Sequence, residues 1–349
     1  MWLEKAWVRT APLLFPLGYL YGKLMLLRRR AYRQGLLPAY RPRAFVISVG
    51  NLSLGGEGKT PLALWLAEFL KNKGFRVAIL TRGYKGKVKG PAVAGRGEGP
   101  LLGPEDIGDE AYLLATRSKC PVMVAKDRVQ GAFWAIKEFE AQVLILDDGF
   151  QHLRLERDLD LVLFSARKDL FSERVFPAGR LREPLEVLNS ADAFLITKAN
   201  EAPRQAKTLA RRLKPFGKPC FKIPFQSGKP YPLGVEDSGR KSLSTMSIFA
   251  FAGLGDPESF RLAAEKIAPL AGFLALPDHV CYTTEVVARL RQLRLEKGAQ
   301  AFLTTEKDAV KLGPFVKDLS PCYVLPLKAI PGKDFEEFLL AEIRKSSHL

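Results

Sequence analysis

The run FVISVGNLSLGGEGKTP at 45–61 constrains this chain more than any other segment. An apolar stretch ends in a glycine-rich turn, and Lys59-Thr60 open the next stretch with Pro61 close behind. That order predicts a strand, a loop of exposed backbone N–H groups, and a helix whose N-terminus faces the loop. Such a loop binds phosphate, because unsatisfied N–H donors and the helix dipole both attract an anion. Lys59 is then placed for the β- and γ-phosphates of a nucleotide, and the Thr60 hydroxyl for Mg2+. The predicted nucleotide cradle is Ser53, Leu54, Gly55, Gly56, Glu57, Gly58, Lys59 and Thr60. The usual spacing GxxxxGK[ST] asks for glycine at 53, where this chain has Ser53; Gly50, Gly55, Gly56 and Gly58 still supply backbone freedom.

Further apolar runs at 77–80, 122–125, 143–146, 159–164 and 193–196 alternate with helical stretches. Near-continuous apolar strands separated by helices predict a parallel sheet covered on both faces, with ligands at the carboxyl ends of its strands. Prolines and glycines crowd 214–232, which reads as a linker. Beyond it, apolar runs at 247–252, 273–276, 301–304 and 323–327 and helices from 258 and over 285–297 predict a smaller α/β unit. The expected architecture is α/β: a P-loop NTPase-like, doubly wound parallel sheet over 41–213, a linker over 214–232 and a second α/β domain over 233–349. A helical segment over 1–40 precedes them. A chain of 349 residues suits two domains.

The net charge is +17, and its distribution is uneven. The first 43 positions hold nine basic residues against one acid, Glu4. The apolar run 13–27 is too short to span a bilayer, is interrupted by Pro16, Gly18, Gly22 and Lys23, and has Arg28–Arg30 after it instead of before it. These features predict an amphipathic helix at a membrane interface, with Trp and Tyr at headgroup level and arginines on anionic lipid. The competing expectation is a helix docked on the protein's own core. No nucleic-acid motif accompanies the basic charge. The four cysteines lie far apart, which argues against a zinc site or a disulfide framework.

The run VLILDDGFQ at 143–151 ends an apolar strand in two acids, the pattern by which such proteins hold Mg2+. Asp147 and Asp148 are the predicted metal ligands, and alternation along a strand predicts that one of them faces the metal directly. TRGY at 81–84 ends a strand and puts Arg82 by the nucleotide. IGDEA at 107–111 places Asp109 and Glu110 before a helix, as catalytic carboxylates or as its cap; PDH at 277–279 places His279 after a strand of the second unit.

Together the pieces SVGNLSLGGEGKTP, TRGY, GDEA, AKDR, DDGFQHLRLERDLDLVL, PAGRLREP, ITK, AGLGDPESF, PDH and TTEKDAVKL resemble the tetraacyldisaccharide 4'-kinase family, in family order along nearly the whole chain. The family shares the serine at 53, whereas Val280 stands where a second histidine often follows PDH. The resemblance implies ATP-dependent phosphorylation of the 4'-hydroxyl of a lipid A disaccharide 1-phosphate, by a peripheral protein on the cytoplasmic face of the inner membrane. It implies ATP and Mg2+ as cofactors and Lys59, Arg182, Asp109 and His279 as catalytic residues, the last two as a pair activating the sugar hydroxyl. It also implies Arg82, Tyr84 and Gln151 at the substrate and Thr60, Asp147 and Asp148 at the metal. Nothing implies nucleic acid or an obligate protein partner. The alternative is a P-loop GTPase or ATPase switch or a metal-insertion protein. Its guanine-reading signature has no better counterpart than TKAN at 197–200, which lacks the NKxD order.

Overall fold

Eight strands make the larger of two main sheets: β1 (Phe45–Gly50), β2 (Val77–Thr81), β3 (Ala92–Gly95), β4 (Val122–Val124), β5 (Val143–Asp147), β6 (Leu159–Ser165), β7 (Ala193–Thr197) and β8 (Cys220–Ile223). Their order is β3-β4-β2-β5-β1-β6-β7-β8, and every pair is parallel except β3 with β4. The computed structural model describes residues 2–234, 243–278 and 280–346, with side chains from Leu13 onward. Ten helices accompany the strands among these residues: α1 (Trp2–Arg33), α2 (Lys59–Asn72), α3 (Pro104–Ile107), α4 (Asp109–Arg117), α5 (Arg128–Phe139), α6 (Pro203–Leu213), α7 (Pro257–Glu265), α8 (Thr284–Glu296), α9 (Glu306–Ala309) and α10 (Lys333–Arg344).

Strand β1 shows why the sheet is doubly covered. Phe45, Ile47 and Val49 join the apolar cluster on one face, with α2 and α4, while Val46 joins the cluster on the other, with α5. Such a strand has no polar face to show, so its sequence is continuously apolar. Chain order reverses beside β1, which has β5 on one side and β6 on the other. The carboxyl ends of β1 and β5 therefore open onto the crevice where ligands bind in such sheets.

The second sheet has the order β10-β14-β13-β11-β12, built from β10 (Tyr231–Pro232), β11 (Ile248–Ala252), β12 (Leu270–Ala275), β13 (Ala301–Thr305) and β14 (Cys322–Leu325). The stretch 214–232, expected to be a linker, does more than connect. It supplies β8 to the large sheet and β10 to the small one. Between them, β9 (Phe225–Ser227) pairs with β15 (Leu327–Ala329). Helix α10 then returns to the large sheet, burying Phe335, Leu339 and Ile343 in its core. The chain thus crosses between the sheets twice, side by side at β9 and β15.

Helix α1 is continuous over 32 residues. No helix among the described residues is long and apolar enough to cross a membrane. One face of α1 docks on the loop 174–184. A Cβ on Gly18 would sit 2.8 Å from the Val175 carbonyl oxygen, and one on Gly22 3.0 Å from Pro184 Cγ. The opposite face carries Leu13, Leu17, Leu20, Leu24 and Leu27, each 56–80% exposed. Steps of four and three residues keep these leucines in one stripe.

Candidate active site

The phosphate loop leaves β1 beside the turn that follows β5. At Gly50 a Cβ would lie 2.5 Å from Phe150 Cβ, so only glycine permits this approach. Gly58 has φ 87°, and α2 begins at the next residue with no side-chain cap and no acid in its first turn. By contrast, Asp127, Asp256, Thr283 and Thr305 cap α5, α7, α8 and α9. The first N–H groups of α2 thus stay open to an anion. Glu57 braces the loop from behind. Its buried carboxylate accepts from Ser53 Oγ at 2.7 Å, Ser165 N at 2.7 Å and Lys168 Nζ at 2.9 Å. Ser53 is therefore a partner of Glu57 and lies behind the cavity wall, which Leu54, Gly55, Gly56, Glu57, Gly58, Lys59 and Thr60 form.

Asp147 ends β5, and its Oδ1 is buried without a hydrogen-bond partner. Asp148 follows at φ 55°, a left-handed conformation costly for a side-chain-bearing residue and typical of functional sites. The turn aims Asp148 at Lys59 Nζ, 3.3 Å away, and Arg182 Nη1, 2.8 Å away. The two acids consequently titrate apart. Burial, reinforced by the charge of Glu110, pushes Asp147 up to about 7. Burial would also raise Asp148, but Lys59 and Arg182 outweigh it and hold that carboxyl at about 2.

Magnesium fits this pair. A buried carboxylate oxygen without a partner, on a carboxyl that resists ionising alone, is completed by a divalent cation. No group of three or more His, Cys, Asp or Glu able to hold a metal occurs among the described residues. Mg2+ bound through one or two carboxylates and phosphate oxygens needs none. A pH dependence follows. With its pKa raised from 3.8 to about 7, Asp147 favours the fold below the lower value, and that contribution is lost as pH rises through the upper one. Asp147→Asn is therefore expected to flatten the pH profile of Tm between about pH 4 and pH 8. Mg2+ is expected to raise the wild-type Tm more at the alkaline end. Parallel wild-type and variant profiles in thermal melts would remove the assignment.

Around this centre, Gln151 Nε2 donates to the Asn51 carbonyl at 3.0 Å, Arg182 Nη1 reaches Gln151 Oε1 at 3.4 Å, and Lys59 Nζ donates to Asn51 Oδ1 at 3.0 Å. Arg82 and Tyr84, both exposed, reach the same cavity from the end of β2. The cavity measures about 1310 Å³ and runs between the two sheets, with Leu254, Asp256 and Asp278 on its far wall. Asp109 opens α4 and is absent from the wall, where its neighbour Glu110 stands. His279 lies outside the described residues. Lys307 spans the two motifs, 3.0 Å from Asp278 Oδ1 and 4.0 Å from Glu110 Oε1, so GDEA and PDH come to one place.

Several contributors were given no role by the sequence. Asn51, Glu183 and Arg128 sit inside recognised motifs, yet only the structure gives them tasks; buried Arg128 donates to the Asp147 carbonyl at 3.3 Å. TKAN proves structural. Lys198 pairs with Asp256 at 3.1 Å, and Asn200 exchanges hydrogen bonds with the Phe225 backbone at 2.8 and 2.9 Å. Thr197 Oγ1 donates to the Glu57 carbonyl at 2.8 Å, so all three polar side chains of that run have partners within the fold.

Phosphoryl transfer asks a protein mainly for positioning and for cationic charge around the moving group. An open helix N-terminus with its lysine, beside an acidic pair at the switch point of a parallel sheet, meets that demand, and the chain is a P-loop phosphotransferase. The model for the tetraacyldisaccharide-1-P 4'-kinase family matches residues 10–344. Two curated proteins called tetraacyldisaccharide 4'-kinase agree. That of Desulfotalea psychrophila is 39% identical over 336 residues, 93% of this chain and 94% of its own. That of Syntrophotalea carbinolica is 40% identical over 319 residues, 90% and 87% of the two chains. The crystal structure of the Aquifex aeolicus protein of this family, in complex with ATP, is 34% identical and matches with a TM-score of 0.76 over 96% of this chain and 98% of that one. The chain belongs to the tetraacyldisaccharide 4'-kinase family and is an ATP-dependent kinase of lipid A biosynthesis.

Proposed function

We propose that the protein moves the γ-phosphate of ATP to the 4'-hydroxyl of a tetraacyldisaccharide 1-phosphate while lying on the cytoplasmic face of an anionic inner membrane. One observation carries this reading: a single cavity joins the phosphate loop to α1, whose Tyr21, Met25 and Arg28 line it. The nucleotide enters at one end, and a lipid headgroup reaches the other from the plane in which α1 lies.

Lys59 and the N–H groups of 54–60 hold the triphosphate. Thr60, Asp147 and Asp148 would hold Mg2+, which would supply positive charge to offset that of the triphosphate. Arg182 meets the transferring group. Arg82, Tyr84 and Gln151 orient the sugar phosphate. Asp109, poised by His279, takes the proton of the 4'-hydroxyl as its oxygen bonds the γ-phosphorus and the bridge to the β-phosphate breaks, releasing ADP.

The leucine stripe of α1 supplies the membrane contact. Fully burying a leucine is worth about 1.5–3 kcal/mol, so five half-exposed ones contribute enough to hold a basic helix at an interface. Wild-type protein with ATP and Mg2+ is expected to phosphorylate the substrate in vesicles containing phosphatidylglycerol and to sediment with them. The variant Leu17→Glu/Leu20→Glu/Leu24→Glu is expected to stay in the supernatant and to lose turnover on vesicles, while binding ATP as before. Sedimentation of that variant at moderate salt would move the membrane contact elsewhere; wild-type protein inert on the lipid would overturn the reading itself.

A further inference from the structure

We propose that Arg29 is a positioning residue of the phosphate site, so that α1 is a working part of the catalytic apparatus as well as an anchor. The inference rests on the roles given above to Lys59 and Arg182. The triplet Arg28–Arg30 looks uniform in sequence, but the structure divides it. Arg30 is exposed, Arg28 lines the cavity, and Arg29 is only 7% exposed.

All three nitrogens of the Arg29 guanidinium donate. Nε and Nη2 grip the two oxygens of Glu183 at 2.9 and 2.7 Å, Nη2 also donates to the Phe150 carbonyl at 2.8 Å, and Nη1 donates to Ser190 Oγ at 3.0 Å. The group lies 4.2 Å from the centre of the Phe150 ring. Phe150 is the residue against which the phosphate loop turns at Gly50. Glu183 is 1% exposed and accepts at 3.3 Å from Gln151 Nε2. From Gln151, contacts already described continue to Lys59 by two routes, one through Asn51 and one through Arg182 and Asp148. The backbone makes the same connection. The loop on which α1 docks bonds to the start of the phosphate loop, Arg182 N to the Leu52 carbonyl at 2.7 Å and Leu54 N to the Arg180 carbonyl at 2.8 Å.

Holding a helix in place does not require this arrangement. A buried ion pair is costly to desolvate and often contributes less to stability than apolar residues of the same size. Gly18, Gly22 and Leu26 already dock α1. What a buried forked cation adds is direction: it fixes one orientation of Glu183, and through it Gln151 and Arg182. Displacing a reacting group by about 1 Å costs on the order of 100-fold in rate.

The test separates positioning from anchoring by presenting the lipid in detergent micelles, where membrane attachment is not needed. Arg29→Lys keeps the charge and loses the fork. It is expected to lower kcat about 10- to 100-fold in micelles as well as on vesicles, with KM for ATP and vesicle sedimentation close to wild type. The leucine-stripe variant is expected to show the opposite pattern, normal in micelles and impaired on vesicles. Because Arg29→Lys strains a buried pair, Arg29→Gln/Glu183→Gln, which removes both charges together, is measured beside it and is expected to show the same kcat loss at near-wild-type Tm. A normal kcat for Arg29→Lys in micelles overturns the proposal and leaves the lipid-kinase reading standing. So do losses that follow Tm across these variants. Wild-type protein inactive in both presentations would instead overturn the lipid-kinase reading.

Discussion

Lys59→Ala is expected to lower kcat on the order of 1000-fold in a protein that remains folded. The lysine sits where α2 begins, 12% exposed at the side chain, with its ammonium between Asn51 Oδ1 and Asp148 Oδ1. Under the proposed function the same ammonium would face the β- and γ-phosphates and offset charge on the transferring group. The fold should survive because no buried charge is stranded. Asp148 keeps Arg182 at 2.8 Å, and the loop keeps its brace through Glu57 to Ser165 and Lys168. Asp148 loses one of the two cations that hold its carboxyl at about 2, so its pKa should rise in the variant. Turnover measured beside a thermal melt settles the matter. A folded Lys59→Ala protein with wild-type turnover would remove the phosphate loop from the mechanism.

This centre was legible in the sequence because its parts are local. Strand, loop, lysine and helix are consecutive over 45–61, and the acids end an adjacent strand. What sequence could not show are partnerships made across the fold. Arg29 and Glu183 are 154 positions apart, and Glu57 finds Lys168 at a distance of 111. Neither pairing has a period or a spacing to betray it. Helix α1 shows a subtler limit. Gly18 and Gly22 look like interruptions of an apolar run, yet they are the contact face, where small residues let the helix approach the loop 174–184. The leucines around them, Leu13, Leu17, Leu20, Leu24 and Leu27, are the exposed side. An amphipathic pattern reveals two faces but not which one the protein covers. The strands of 214–232 were hidden by length. At two to four residues, with prolines among them, β8, β9 and β10 fall below what alternation can reveal.

Asp109 and His279 are expected to behave as one catalytic unit. Removing either should lower kcat about 100- to 10000-fold with little change in KM for ATP, as for a proton transfer that matters only in the transition state. The competing role for Asp109 is structural, and the geometry weakens it. The cap position of α4 is Gly108 at φ 83°, and no side chain bonds the first turn. Asp109 therefore offers α4 only a favourable charge at the dipole's positive end, worth about 0.3–1 kcal/mol. Lys307 supplies the physical link, since it pairs with Asp278, the residue before His279, and lies 4.0 Å from Glu110, the residue after Asp109. Lys307 thus ties together the loops that carry the two motifs. If His279 acts by tuning Asp109, the double variant should be scarcely worse than Asp109→Ala alone. If each residue only supports its own loop, the losses should be small, additive and matched by falls in Tm. A double-mutant cycle on kcat, with Tm measured for all four proteins, separates the outcomes. Additive losses that follow Tm would defeat the pair and send the search for the base to Glu110, which already stands in the cavity wall.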